Sequence, residues 1–100
     1  MNVIRQKSVE QFFQAILSLE NLEECYAFFE DVCTVKEILE IAQRFDVASQ
    51  LYAGKNYGEV NRSTGASTAT ISRVKKCLMY GNSGYRIALD RLNFSKQEEP

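Results

Sequence analysis

Apolar residues recur at three- and four-residue intervals along almost the whole chain. Ile38, Ile41, Ala42, Phe45, Ala48 and Tyr52 form the longest such series, the period of a helix that buries one face. Alternation of apolar and polar residues never lasts long enough to read as a strand, so the pattern predicts an all-α fold. Helix starts are marked in the text of the sequence. Ser8 with Gln11 has the spacing of a capping box and opens a first helix, with Phe12, Phe13, Ile16 and Leu17 on its buried face. Asn21 with Glu24 starts a second, carrying Leu22, Cys25, Tyr26, Phe29 and Val32. Thr34 with Glu37 starts the long third one, and Gly54 supplies a left-handed stop. Asn56 with Glu59 opens a short helix ending near Thr64, before Gly65. Ser67 caps the next, which runs to about Met79. Gly81, Asn82, Ser83 and Gly84 form a loop, and a final helix covers about 85–92.

A chain of 100 residues with one proline and no linker reads as a single helical domain over 1–92. Within it, dimerisation helices cover about 8–53, a helix-turn-helix about 57–79 and a C-terminal helix about 85–92; the polar stretch 93–100 is a flexible tail. The second helix is apolar on both faces at Tyr26, Phe28 and Phe29, more than a small domain encloses on one side. That excess predicts a homodimer. No apolar run approaches the roughly 18–20 residues of a membrane helix, and the first residues lack a signal-peptide pattern, so a cytoplasmic location is expected.

Composition removes most chemistry. There is no histidine, hence no Ser-His or Cys-His pair and no histidine metal ligand. Cys25, Cys33 and Cys77 make no CxxC pair and are expected to pack as small hydrophobes; a redox role for Cys77 stays open. No metal, no cofactor and no enzymatic activity are expected.

The net charge of −1 conceals an asymmetry. Residues 1–54 hold four basic and nine acidic side chains, a balance of −5, whereas residues 55–91 hold seven basic and two acidic, a balance of +5. An acidic front and a basic back fit a chain that packs with one part and meets phosphate with the other. Within the basic part, residues 57–78 read as a short helix, a turn at Gly65 and a second helix. Val60, Ala66, Ile71 and Val74 stand where two crossed helices touch. Ser67, Thr68, Ala69 and Ser72 keep the start of the second helix small or polar, as close approach to base edges in a major groove requires. Lys75 and Lys76 stand nearby for phosphates. Asn61 departs from the generic motif, which usually has alanine there, so its amide must find a partner or tilt outward.

The stretch Thr64-Gly65-Ala66-Ser67-Thr68-Ala69-Thr70-Ile71-Ser72-Arg73 resembles the turn and recognition helix of the tryptophan repressor. With Cys33-Thr34-Val35-Lys36-Glu37, Ala42-Gln43-Arg44 and Cys77-Leu78-Met79-Tyr80-Gly81-Asn82-Ser83-Gly84-Tyr85, the chain is more similar still to the small TrpR-like YerC/YecD family, over roughly residues 10–90. The resemblance implies a tryptophan-repressor-like helical fold, intertwined as a two-fold homodimer. It implies a sequence-specific regulator of double-stranded DNA, a repressor by analogy. Base contacts would come from Thr68, Ala69 and Ser72, with Ser67, Thr70, Arg73, Lys75 and Lys76 completing the DNA-binding set. Arg44 and Arg73 align with the arginines that enclose an effector, and Thr34 with a backbone contact. Val74, however, replaces a glycine and Cys77 a serine. The branched Val74 takes volume from the pocket, which argues against tryptophan as corepressor; another small carboxylate, or phosphate alone at Arg73, remains open. The competing reading is a helical protein–protein interaction module, which would more often carry Leu, Phe or Tyr at positions 68, 69 and 72.

Overall fold

The computed structural model describes residues 3–92. Six helices follow one another: α1 (Lys7–Leu17), α2 (Leu22–Val32), α3 (Val35–Tyr52), α4 (Tyr57–Thr64), α5 (Thr68–Tyr80) and α6 (Gly84–Arg91). No strand occurs among the described residues. The predicted tail 93–100 lies outside them.

Four of the expected starts, at Asn21, Thr34, Asn56 and Ser67, are capped by the residue that the sequence predicts. The Thr34 hydroxyl accepts from the Glu37 amide at 3.1 Å, and the Glu37 carboxylate accepts from the Thr34 amide at 2.9 Å, a complete capping box. Asn56 and Glu59 exchange the same pair of bonds at 2.9 and 3.0 Å. Asn21 caps α2 by accepting from Glu24 at 2.9 Å, but the Glu24 carboxylate returns to the amide of Glu20 instead of Asn21. The Ser8 start is corrected. The Gln6 carbonyl takes the Glu10 amide at 3.0 Å, closing the first helical bond two residues before Ser8 could cap it. Gln6 is the N-cap, without a side-chain cap, and its amide donates to the Val3 carbonyl.

The chain divides into two compact units, one up to Ile38 and one from Leu39 onward, with the division inside α3 rather than in a linker. In the first unit Phe12 of α1 stacks on Phe28 of α2, centroids 5.9 Å apart, and Phe28 meets Phe29 edge-on at 5.3 Å. Neither α1 nor α2 contains a buried residue. Phe13 and Leu17, expected on a buried face, are exposed, as are Leu22, Tyr26 and Val32. Two helices of 11 residues have too little surface to cover so wide an apolar stripe.

The buried core lies wholly in the second unit. Val47 and Ala48 of α3, Val60 of α4, Ala66 of the turn, Ile71, Val74 and Leu78 of α5 and Leu89 of α6 close on one another. The part of α3 packed on this core begins at Phe45; Ile41 and Ala42, predicted on the inward face, are exposed. Gly54 is left-handed at φ +98°, as predicted. Helix α5 runs one residue beyond its predicted end. A Cβ at Gly81 would stand 2.5 Å from the Cys77 carbonyl oxygen, so only glycine permits the chain to leave α5 at this angle. The next helix begins one residue early, at Gly84, behind a left-handed Ser83 with φ +68°. Across the core, the Tyr52 hydroxyl of α3 donates to Asp90 of α6 at 2.5 Å. Arg86 of α6 donates to the Leu78 carbonyl of α5 at 2.9 Å.

Candidate nucleic-acid interface

Helices α4 and α5 meet at a turn that Gly65 makes by entering the left-handed region at φ +75°. That conformation carries little cost without a Cβ. Val60, Ala66, Ile71 and Val74, the four positions expected at the crossing, are all buried, each at most 2% exposed. Asn61, the departure from the generic motif, finds its partner. Its amide donates to the Ala66 carbonyl at 2.8 Å while the side chain remains at the surface.

Burial of Ile71, Val74 and Leu78 decides what α5 presents outward. Ala69, Ser72, Arg73 and Lys76 follow one another at helical spacings on the opposite face, and all four are exposed. Thr68 is exposed at the edge of that face, in the first turn. Ser67 is the N-cap; its hydroxyl accepts from the Thr70 amide at 3.1 Å and donates to the Thr70 hydroxyl at 3.1 Å. Thr70 is therefore half-buried on the flank, with both polar groups turned toward the cap. Lys75 stands apart from Lys76: its ammonium lies 5.7 Å from the centre of the Tyr57 ring of α4, within the range of a cation–π contact. No acidic residue occupies the first turn of α5, so the positive end of its dipole is uncompensated.

The structure places Arg44 half-buried on α3 and Arg73 exposed on α5. A cavity of about 410 Å³ beside the C-terminal half of α5 is lined by Phe45, Cys77, Gly81, Asn82, Gly84, Tyr85 and Ala88, and so by neither arginine. Val74 is sunk in the core. Cys77 does not pack as a core residue: it is exposed beside the buried stripe of α5, while Cys25 and Cys33 are half-buried. Among the described residues no group of three or more Cys, Asp or Glu side chains could hold a metal, and no helix is long and apolar enough to cross a membrane.

Gln43 has a structural part that its sequence neighbours do not reveal. Its amide donates to the Thr64 carbonyl at 3.1 Å across 21 positions of chain, and no local pattern announces so distant a bond. Tyr57 beneath Lys75 is a second such case.

The family model of the Trp repressor protein matches residues 7–93. An uncharacterized protein, YerC of Bacillus subtilis (strain 168), is 54% identical over 95 residues, covering 95% of this chain and 91% of its own. The crystal structure of a TrpR-like protein from Eubacterium eligens superposes with a TM-score of 0.92 at 52% identity, covering 97% of this chain and all of that one. A structure from Staphylococcus aureus superposes at 0.91 with 47% identity, covering 95% of each chain. With a surface-turned, small and basic α5 locked behind a left-handed glycine turn, and with these relatives along nearly its whole length, the chain belongs to the Trp repressor protein family.

Proposed function

We propose that this protein is a sequence-specific, double-stranded-DNA-binding transcription regulator, acting as a repressor, that lays α5 in the major groove. One observation carries this reading: the outward face of α5, opposite a fully buried stripe, consists of small, hydroxyl and basic side chains. Large apolar anchors, the usual mark of a protein-docking face, are absent from positions 68, 69, 72, 73 and 76. Thr68, Ala69 and Ser72 approach base edges. Arg73, Lys75 and Lys76 meet phosphates, with Ser67 and Thr70 at the backbone beside the helix start. Arg73 serves phosphate rather than an effector carboxylate, and the core-packed Val74 is our reason for assigning no tryptophan corepressor; Arg44 has no ligand in this account.

The working unit is a homodimer. Leu17, Leu22 and Val35 are each more than two-thirds exposed in the single chain, and a second copy supplies the apolar cover that one copy lacks. Two-fold symmetry then sets two α5 helices roughly 34 Å apart, one turn of DNA. No membrane association enters this account, and the cytoplasm is the compartment where such a protein meets its DNA.

Titration of a labelled random-sequence duplex against salt tests the reading. Affinity is expected to fall steeply as salt rises, through counterion release. Arg73→Ala and Lys76→Ala should each weaken binding to every sequence and reduce the slope by about 1. Thr68→Ala and Ser72→Ala should leave the slope intact and shift sequence preference. Absence of salt-sensitive binding, together with retention of a protein partner on α5, would favour the interaction module.

A further inference from the structure

The turn between α4 and α5 is held by more than its glycine and its apolar contacts. The Thr64 carbonyl, among the last of α4 and without an intrahelical partner, receives the Gln43 amide from α3 at 3.1 Å. The Ala66 carbonyl receives the Asn61 amide from α4 at 2.8 Å. The Gly65 amide donates to the Asn61 carbonyl at 2.9 Å, and the Ala66 amide to the Thr64 hydroxyl at 3.1 Å. That hydroxyl donates in turn to the Val60 carbonyl at 2.7 Å. The Thr64 and Ala66 carbonyls of the turn are thus pinned by side-chain amides reaching from two different helices.

We propose that Gln43 and Asn61 are positioning residues for DNA reading, a pair of amide clamps that fix the turn at 64–66 and with it the angle of α5. This rests on the DNA-binding reading above. Apolar burial has no direction of its own and allows one helix to slide slightly on another. Hydrogen bonds to fixed carbonyls weaken steeply with angle and distance. Short side chains such as Thr68, Ala69 and Ser72 reach base edges only if the backbone behind them is held to within about 0.5 Å. Phosphate contacts by long lysine and arginine side chains tolerate a larger error. Loss of the clamps therefore costs discrimination between sequences and spares the general attraction to DNA.

The test uses the full chain carrying Gln43→Met, Asn61→Ala and the two together. Methionine keeps the length of Gln43 without its donor, and alanine suits both the helix and the generic motif. Two readings are taken. Amide hydrogen exchange in the free protein should quicken about tenfold at Gly65 and Ala66 in the double variant, while the amides of Val47 and Leu89 exchange as before. The ratio of affinities for duplexes enriched by the wild type over unselected duplexes should fall about tenfold, with the affinity for unselected duplexes and its salt slope unchanged. Unaltered exchange in the double variant, a preserved ratio, or an equal fall on both kinds of duplex overturns the proposal. If the double variant fails to fold, each single variant is read in the same way against its own far-UV spectrum. A wild type that enriches no sequence refutes DNA reading itself and the clamps' part in it. Exchange then still separates that failure from a turn the amides never held.

Discussion

At the scale of single residues, the site depends on a few backbone and amide requirements. Gly65 adopts φ +75°, and a Cβ built there meets nothing within 4 Å. A side chain at this position is penalised by conformation alone, with no clash to add. Gly65→Ala is therefore expected to lower stability by about 1 kcal/mol, read as a shift of the urea midpoint at unchanged slope. A larger loss would mean that the turn also lacks room. Asn61 shows how a residue that breaks a motif can serve it: the polar group that the crossing usually excludes is satisfied by the Ala66 carbonyl and costs no unpaired donor.

At the scale of elements, what could be read from the sequence was whatever is local. The capping pairs Thr34–Glu37 and Asn56–Glu59 and the glycine stops after α3 and α4 act within four residues, and all are present. Ser8 misled because its spacing to Gln11 is as good as that of a true box, while the start is decided earlier, by the Gln6 carbonyl. The inward set of α5 was legible because its stripe is narrow. The faces of α1 and α2 were not, because a stripe wide enough for two partners does not say which half one chain covers. Bonds between distant elements were beyond reach, and Tyr52 of α3 with Asp90 of α6 is the plainest of them. The neutral Tyr52 phenol donates to the Asp90 carboxylate, and that bond, aided by desolvation and the negative charge, holds its pKa above the usual 10.0, with Arg86 opposing. Since the unfolded chain gives up this proton first, the link stabilises fully below pH 10.0 and is lost as pH rises through the higher folded value. Urea midpoints followed from about pH 8 to about pH 11 should decline for the wild type and decline less for Tyr52→Phe. Parallel curves would remove Tyr52 as the cause.

At the scale of the molecule, two features of the sequence point in different directions along the chain. The acidic, aromatic-rich front is short of cover, and the basic back has a complete core and an outward α5. In the proposed reading a second copy covers the front and DNA meets the back. Replacing Phe13 and Tyr26, each more than half exposed, by lysine should convert the sedimenting species from dimer to monomer. It should also abolish the dependence of the melting temperature on protein concentration. A wild type that already sediments as a monomer would contradict the dimer. The proposed function stands or falls with paired α5 helices reading sequence, and the decisive experiment is selection of genomic DNA fragments by the purified wild-type protein at physiological salt. An enriched pseudo-palindrome whose half-sites lie one helical turn apart is expected; capture of DNA without sequence preference, or no capture at all, would overturn the proposal.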